Sequence, residues 1–154
     1  MINMKAERQF IGNSTYRSRL VDGHFHTELC PHGSGDRTAL MIEKAIELRI
    51  EKVCLTEHAP LPKAFEAEYD GDKIAYDTAS LKLNQVDSYL ELGRELQRAY
   101  GTHIDISLGF EVDYIPGFES DIQDFLDRYG PLTDDNILSV HFMDGVGEIG
   151  RAHV

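Results

Sequence analysis

Cysteine is scarce in this chain: Cys30 and Cys54 are the only two in 154 residues. Two thiols cannot build the disulfide framework of a small secreted domain, so a packed core must hold the fold and a reducing, cytoplasmic setting is expected. Positive charge is also short. Fifteen Lys and Arg face 27 Asp and Glu, a formal net charge of −12, and a field of that sign repels phosphate backbones and anionic lipid. The expected partners therefore include no nucleic acid and no membrane, unless bound cations reverse the sign locally. Met1 to Phe10 carries Lys5, Glu7 and Arg8 among few apolar residues, so it lacks the hydrophobic run of a signal peptide or membrane span. No repeat or low-complexity tract stands out.

What is present is the balance of one packed domain, 42% hydrophobic and 27% charged. Apolar periodicity alternates between short strands and longer helices. Strands are predicted at Arg19 to His26, Lys52 to His58, Ile104 to Glu111 and Asn136 to Phe142. A helix capped by Asp36 runs to about Arg49. A second covers Ala79 to Tyr100, with Val86, Tyr89, Leu90 and Leu96 inward, and a third follows Pro116 and Gly117 with Phe118, Ile122, Phe125, Leu126 and Tyr129 at helical spacing. Ala59 to Asp77, with Pro60 and Pro62, reads as a long loop, either a solvated surface or a lid over a site. The alternation predicts an α/β fold with a parallel sheet or part of a (β/α) barrel, since four strands do not close one.

Histidine is the abundant chemical group, with seven residues. His24 and His26 share one face of the first strand, and His32 follows in a Pro- and Gly-rich turn. The same strand phase carries Asp22 on the first strand, Cys54, Thr56 and His58 on the second, Ser107, Gly109 and Glu111 on the third, and Ser139 and His141 on the fourth. The opposite phase is bulky: Val53, Leu55, Ile106, Leu108, Phe110, Leu138 and Val140. His58, Glu111 and His141 fall near the C-terminal strand ends, where (β/α) folds build their sites. Five imidazoles and a carboxylate on one rim suit Zn, Mn or Fe and are too many for a single tetrahedral ion, so more than one metal is expected. Neighbouring metals activate water and offset the charge of an anionic substrate, which points to metal-assisted phosphoester hydrolysis.

Five segments carry a resemblance: Asp22-Gly23-His24-Phe25-His26-Thr27, Cys30-Pro31-His32-Gly33-Ser34-Gly35-Asp36, Thr56-Glu57-His58-Ala59-Pro60-Leu61-Pro62, Gly109-Phe110-Glu111-Val112-Asp113-Tyr114 and Ser139-Val140-His141-Phe142. In this order they resemble the polymerase and histidinol phosphatase (PHP) superfamily, and within it the monofunctional histidinol-phosphatases. The resemblance implies the N-terminal portion, about four βα units, of a distorted (β/α)7 PHP-type barrel. Residues 1–18 would be an N-terminal extension and 19–154 a truncated PHP domain. It further implies two or three divalent ions (Zn, Mn or Fe) held by His24, His26, His32, His58, Glu111 and His141, and hydrolysis of L-histidinol phosphate to L-histidinol and phosphate, without a covalent enzyme intermediate. No catalytic residue beyond these ligands is expected.

Family members continue past the fourth strand to further ligands that find no match here, so two alternatives stand beside the phosphatase: another PHP-type phosphoesterase, or a catalytically inactive metal-binding fragment. Open sheet edges on a half barrel predict self-association. Among single residues, Glu57 is expected to support an imidazole or face a helix rather than to ligate, and Asp22 either holds an imidazole in place or is simple strand polarity. Cys30, in the ligand loop, reads as packed with a metal-ligand or nucleophile role as the alternative, Cys54 as core, Asp113 as solvated, Thr27 and Ser34 as turn formers or phosphate donors, and His103 and His153 as bystanders.

Overall fold

The computed structural model describes residues 19–143 and 146–148; the expected N-terminal extension and His153 lie outside them. Lys52–His58 (β2) and Asp105–Asp113 (β3) form the centre of a four-stranded parallel sheet, flanked by Val21–Phe25 (β1) and Ile137–Ser139 (β4) in the order β1-β2-β3-β4. Parallel neighbours need crossover connections. These are Thr38–Glu47 (α1), then Lys73–Thr78 (α2) with Val86–Tyr100 (α3), then Glu119–Tyr129 (α4). The bulky phase of β2 and β3 packs with Ile42, Val86, Tyr89, Leu90 and Ile122 in one core. Each fully buried side chain such as Leu55 or Phe110 stabilises it by roughly 2 kcal/mol.

Two residues lock α3 and the β3–β4 junction onto the centre. Tyr89 is fully buried, and its hydroxyl donates between the carbonyls of Gly109 (2.5 Å) and Leu55 (3.0 Å). Gly109 has no room for a side chain, because a Cβ there would lie 1.5 Å from the Asp135 carbonyl oxygen. That approach lets residues 134–136 replace strand pairing: the Asp134 carboxylate accepts the Leu108 N–H and the Asn136 side chain accepts the Phe110 N–H, both at 2.9 Å.

This explains why the fourth strand is shorter than expected. Its first residue is spent on side-chain bonding. At the far end the His141 N–H turns to Asp113 Oδ1 (3.3 Å), and Phe142–Met143 (β5) leaves to pair with Val146–Glu148 (β6) as a separate antiparallel ribbon.

Asp36 does not cap α1. Its carboxylate accepts from Ser34 Oγ, and the cap position is Arg37, without a side-chain bond. The Thr38 N–H is instead satisfied by Glu28 Oε2 at 2.5 Å, while Thr38 Oγ1 accepts the Glu28 N–H at 3.1 Å. A reciprocal pair ten residues apart does the work of a local cap.

The predicted long loop is not structureless. It contains a 3-10 turn at Lys63–Ala67 and the helix α2, and Phe65 inserts its ring among Tyr69, Tyr76, Phe118 and Phe142. The long helix begins at Val86 rather than Ala79, preceded by a 3-10 turn at Leu83–Gln85. Among the described residues no helix is long and apolar enough to cross a membrane.

Candidate metal centre

The centre is built where β1, β2 and β3 end. Glu111 is buried at the end of a strand whose every residue after Asp105 is buried. Its Oε2 lies 3.4 Å from His24 Nε2, 3.4 Å from His26 Nε2 and 3.2 Å from His58 Nδ1, and its Oε1 lies 3.6 Å from His141 Nε2. One carboxylate thus faces four imidazoles contributed by three other chain segments. The His32 ring stands 5.0 Å from that of His58. The structure therefore gathers the six residues singled out as ligands.

Four of the rings have one nitrogen engaged outward and so present the other to the centre. His26 Nδ1 meets Glu57 Oε1 at 3.2 Å. His141 Nδ1 meets Asp113 Oδ1 at 2.6 Å. His32 Nδ1 donates to the Thr78 carbonyl at 2.7 Å, which gives the reshaped 59–78 segment a task. His24 Nδ1 lies 3.4 Å from Thr56 Oγ1. A donated N–H on one side leaves a lone pair on the other, the arrangement that makes an imidazole a metal ligand.

Glu57 occupies the helix-facing phase of β2 yet is fully buried, and its Oε2 also accepts from the Thr27 N–H (2.9 Å) and hydroxyl (2.6 Å). Burial pushes its carboxyl up, but the bonds from His26 and Thr27 prevail and hold it below the ordinary value.

One expectation needs correction and two are narrowed. Asp22 does not reach an imidazole: its Oδ1 meets the main-chain N–H of His24 at 3.4 Å, because alternation places its side chain one pleat below the rings. Asp113 is not solvated. It is buried and accepts from His141 and from Ser139 Oγ (3.1 Å), and its place two residues after Glu111, on the same strand phase, is the signal that could have found it. Cys30 is more than packed, since its sulfur lies within 4.8 Å of ring nitrogens of His26 and His58. Thr27 and Ser34 have their hydroxyls committed to Glu57 and Asp36, and exposed His103 sits beyond α3, before β3.

The electrostatics follow from these contacts. Burial disfavours a charged His26, but bonds to Cys30 and Glu57 outweigh it and raise the ring to about 10. His32 rises to about 9, chiefly through Cys30. Burial lowers His58 to about 3. Burial would raise the Cys30 thiol, yet His26 and His32 bring it down to about 7.

The donor set fits divalent cations. Three trios each bring one ligand atom per residue within 4.8 Å of the others: His24, His26 and Glu111; His58, Glu111 and His141; His26, Cys30 and His58. Each trio shares one corner with each of the other two, through His26, Glu111 and His58. Two buried atoms, His58 Nδ1 and Glu111 Oε2, have no hydrogen-bond partner among the described residues although they face each other at 3.2 Å. Orphaned buried polar atoms are costly, and a shared cation between them satisfies both. A cavity of about 640 Å³ between the 59–83 segment and α4 is separate from this cluster, although Asp113 borders both.

Fold and site together define an α/β protein with a histidine- and carboxylate-lined cation centre at the C-terminal ends of parallel strands. The PHP domain model matches residues 22–153, and the chain belongs to that family. It is 41% identical over 122 residues to the histidinol-phosphatase of Bacillus subtilis, covering 79% of this chain and 44% of the relative. A solved Listeria monocytogenes chain, described as a candidate histidinol phosphatase, matches with 44% identity and a TM-score of 0.78, over 80% of this chain and 45% of that one. A Lactococcus lactis histidinol phosphate phosphatase, solved with zinc, L-histidinol and phosphate, shares the fold at 24% identity and a TM-score of 0.64, over 84% and 43% of the two chains. The chain thus spans a little under half the length of these relatives.

Proposed function

We propose that this chain carries the metal centre of a phosphomonoester hydrolase acting on L-histidinol phosphate. The observation that carries the reading is the Glu111 carboxylate, buried and faced by His24, His26, His58 and His141 within 3.6 Å. The family membership and the Bacillus subtilis relative support the substrate. His24, His26, His32, His58, Glu111 and His141 are the ligands; two of the trios, His24 with His26 and Glu111 and His58 with Glu111 and His141, are built from them and share the Glu111 carboxylate, which supports at least two ions. When bound, such ions lower the pKa of water and offset charge on phosphoryl oxygens.

The protein's own contribution is positioning. Glu57, Asp113 and the Thr78 carbonyl hold three rings with a lone pair inward, so little rearrangement is needed at the moment of reaction. Thr27 and Ser34 donate their hydroxyls to carboxylates, so neither is free to act as a nucleophile and attack by water is favoured.

The test is phosphate release by the 154-residue chain loaded with Zn or Mn, with L-histidinol phosphate, an aryl phosphate and single-stranded DNA compared. Preference for histidinol phosphate, lost on chelation, is expected. Preference for the DNA would replace this reading with a nuclease-like one, and stoichiometric metal without turnover on any of the three would reduce the chain to a metal-binding module.

A further inference from the structure

We propose that Cys30 is a thiolate ligand of this centre, and that its corner with His26 and His58 takes a softer divalent ion, such as zinc, cobalt or ferrous iron, in preference to manganese. The assignment rests on the metal-centre reading above and adds a ligand and a selectivity to it. Cys30 is 7% exposed, and its sulfur lies within 4.8 Å of ring nitrogens of both His26 and His58.

The loop holds it there. The Cys30 N–H donates to the Thr27 carbonyl and the Gly33 N–H donates to the Cys30 carbonyl, both at 3.1 Å, so two successive turns lead from the end of β1 to His32. Packing alone does not explain the surroundings, because a thiol seated for packing has apolar neighbours and this one has imidazoles. His58 forms the other wall of the corner: it is 7% exposed, and its Nδ1, without a hydrogen-bond partner among the described residues, faces Glu111 Oε2 at 3.2 Å, so this ring joins the Cys30 corner to the Glu111 carboxylate. Cys54 is the internal contrast, equally buried but in none of the three trios.

A neutral thiol is a weak hydrogen-bond partner, whereas thiolate with imidazole is a donor set for zinc-like ions and a poor one for manganese. On coordination the sulfur–hydrogen bond breaks, the proton passes to buffer and the sulfur lone pair binds the cation; nothing is oxidised or reduced.

Cobalt(II) titrated into the metal-free chain tests this without reference to turnover. The ligand-field bands report coordination, and a near-ultraviolet thiolate-to-cobalt charge-transfer band reports sulfur. The band is expected in the wild type and in Cys54→Ala, where Cys30 is the sole thiol, and is expected to vanish in Cys30→Ser. In Cys30→Ser the preference for zinc over manganese should fall by about tenfold or more. Ligand-field bands without charge transfer in Cys54→Ala would overturn the assignment while leaving the metal centre standing. The Cys54→Ala spectrum decides even if Cys30→Ser fails to fold. No cobalt binding at all would remove the centre and this ligand with it.

Discussion

The central strands and the edge strands of the sheet treat the same kind of residue differently. On β2 and β3 both faces are covered, and His58 and Glu111 are each under a tenth exposed. On β1 and after β4, His24 and His141 keep 45% and 31% of their side chains accessible, beside exposed Leu20, Val21, Leu138 and Val140. Half of the centre is therefore fixed by a close-packed interior, and the other half is held by individual hydrogen bonds. Substitutions in the middle should strike the whole site, and substitutions at the edges should strike one corner.

The largest expected contrast is in metal affinity. Glu111→Gln removes the corner shared by two trios and should weaken binding by more than about 100-fold, beyond what partners that merely orient ligands contribute. His24→Ala should leave part of the metal bound; isothermal titration with zinc reads both. Gly109→Ala comes next. The collision with the Asp135 carbonyl should cost about 3 kcal/mol in urea unfolding, whereas Gly23→Ala on β1, where a Cβ meets nothing within 4 Å, should stay within about 0.5 kcal/mol.

Asp113→Asn and Glu57→Gln test the hydrogen bonds that steer rings, and each should lower metal affinity by about 10- to 100-fold. The same contacts set the pH response. His26 and His32, raised to about 10 and about 9, carry protons at neutral pH in the metal-free chain, whereas His58, at about 3, does not. Loading must expel those protons, so affinity should rise with pH up to about 9, and calorimetry in buffers of different ionisation enthalpy should show roughly two protons released from these rings, with the Cys30 thiol proton in addition where it coordinates. The smallest effect on stability belongs to the outer edges. Val21 and Leu138 are exposed there, so Val21→Lys with Leu138→Lys should change stability in urea unfolding by no more than about 0.5 kcal/mol.

The parallel α/β order and the strand phase that turns His24, His58 and Glu111 to one side were legible because alternation in a strand depends on local geometry alone; His32, in a turn, was singled out by its spacing and by the family resemblance. What sequence could not supply were the partners that come from elsewhere in the chain. Glu28 caps a helix ten residues on, Thr78 reaches back to His32, and Asp134 and Asn136 displace part of a strand; each depends on a tertiary approach with no fixed spacing. Asp113 is a different case. Its phase was visible, but a surface aspartate is the commoner reading of a charge just past an apolar run. Asp22, on the right phase but one pleat too low, shows the converse: alternation assigns a face and not a depth.

Elemental analysis of the purified chain beside a His24→Ala, His26→Ala variant tests the convergence most directly. More than one equivalent of transition metal per wild-type chain, with a large loss in the variant, is the predicted result; equal metal content in the two proteins would contradict it.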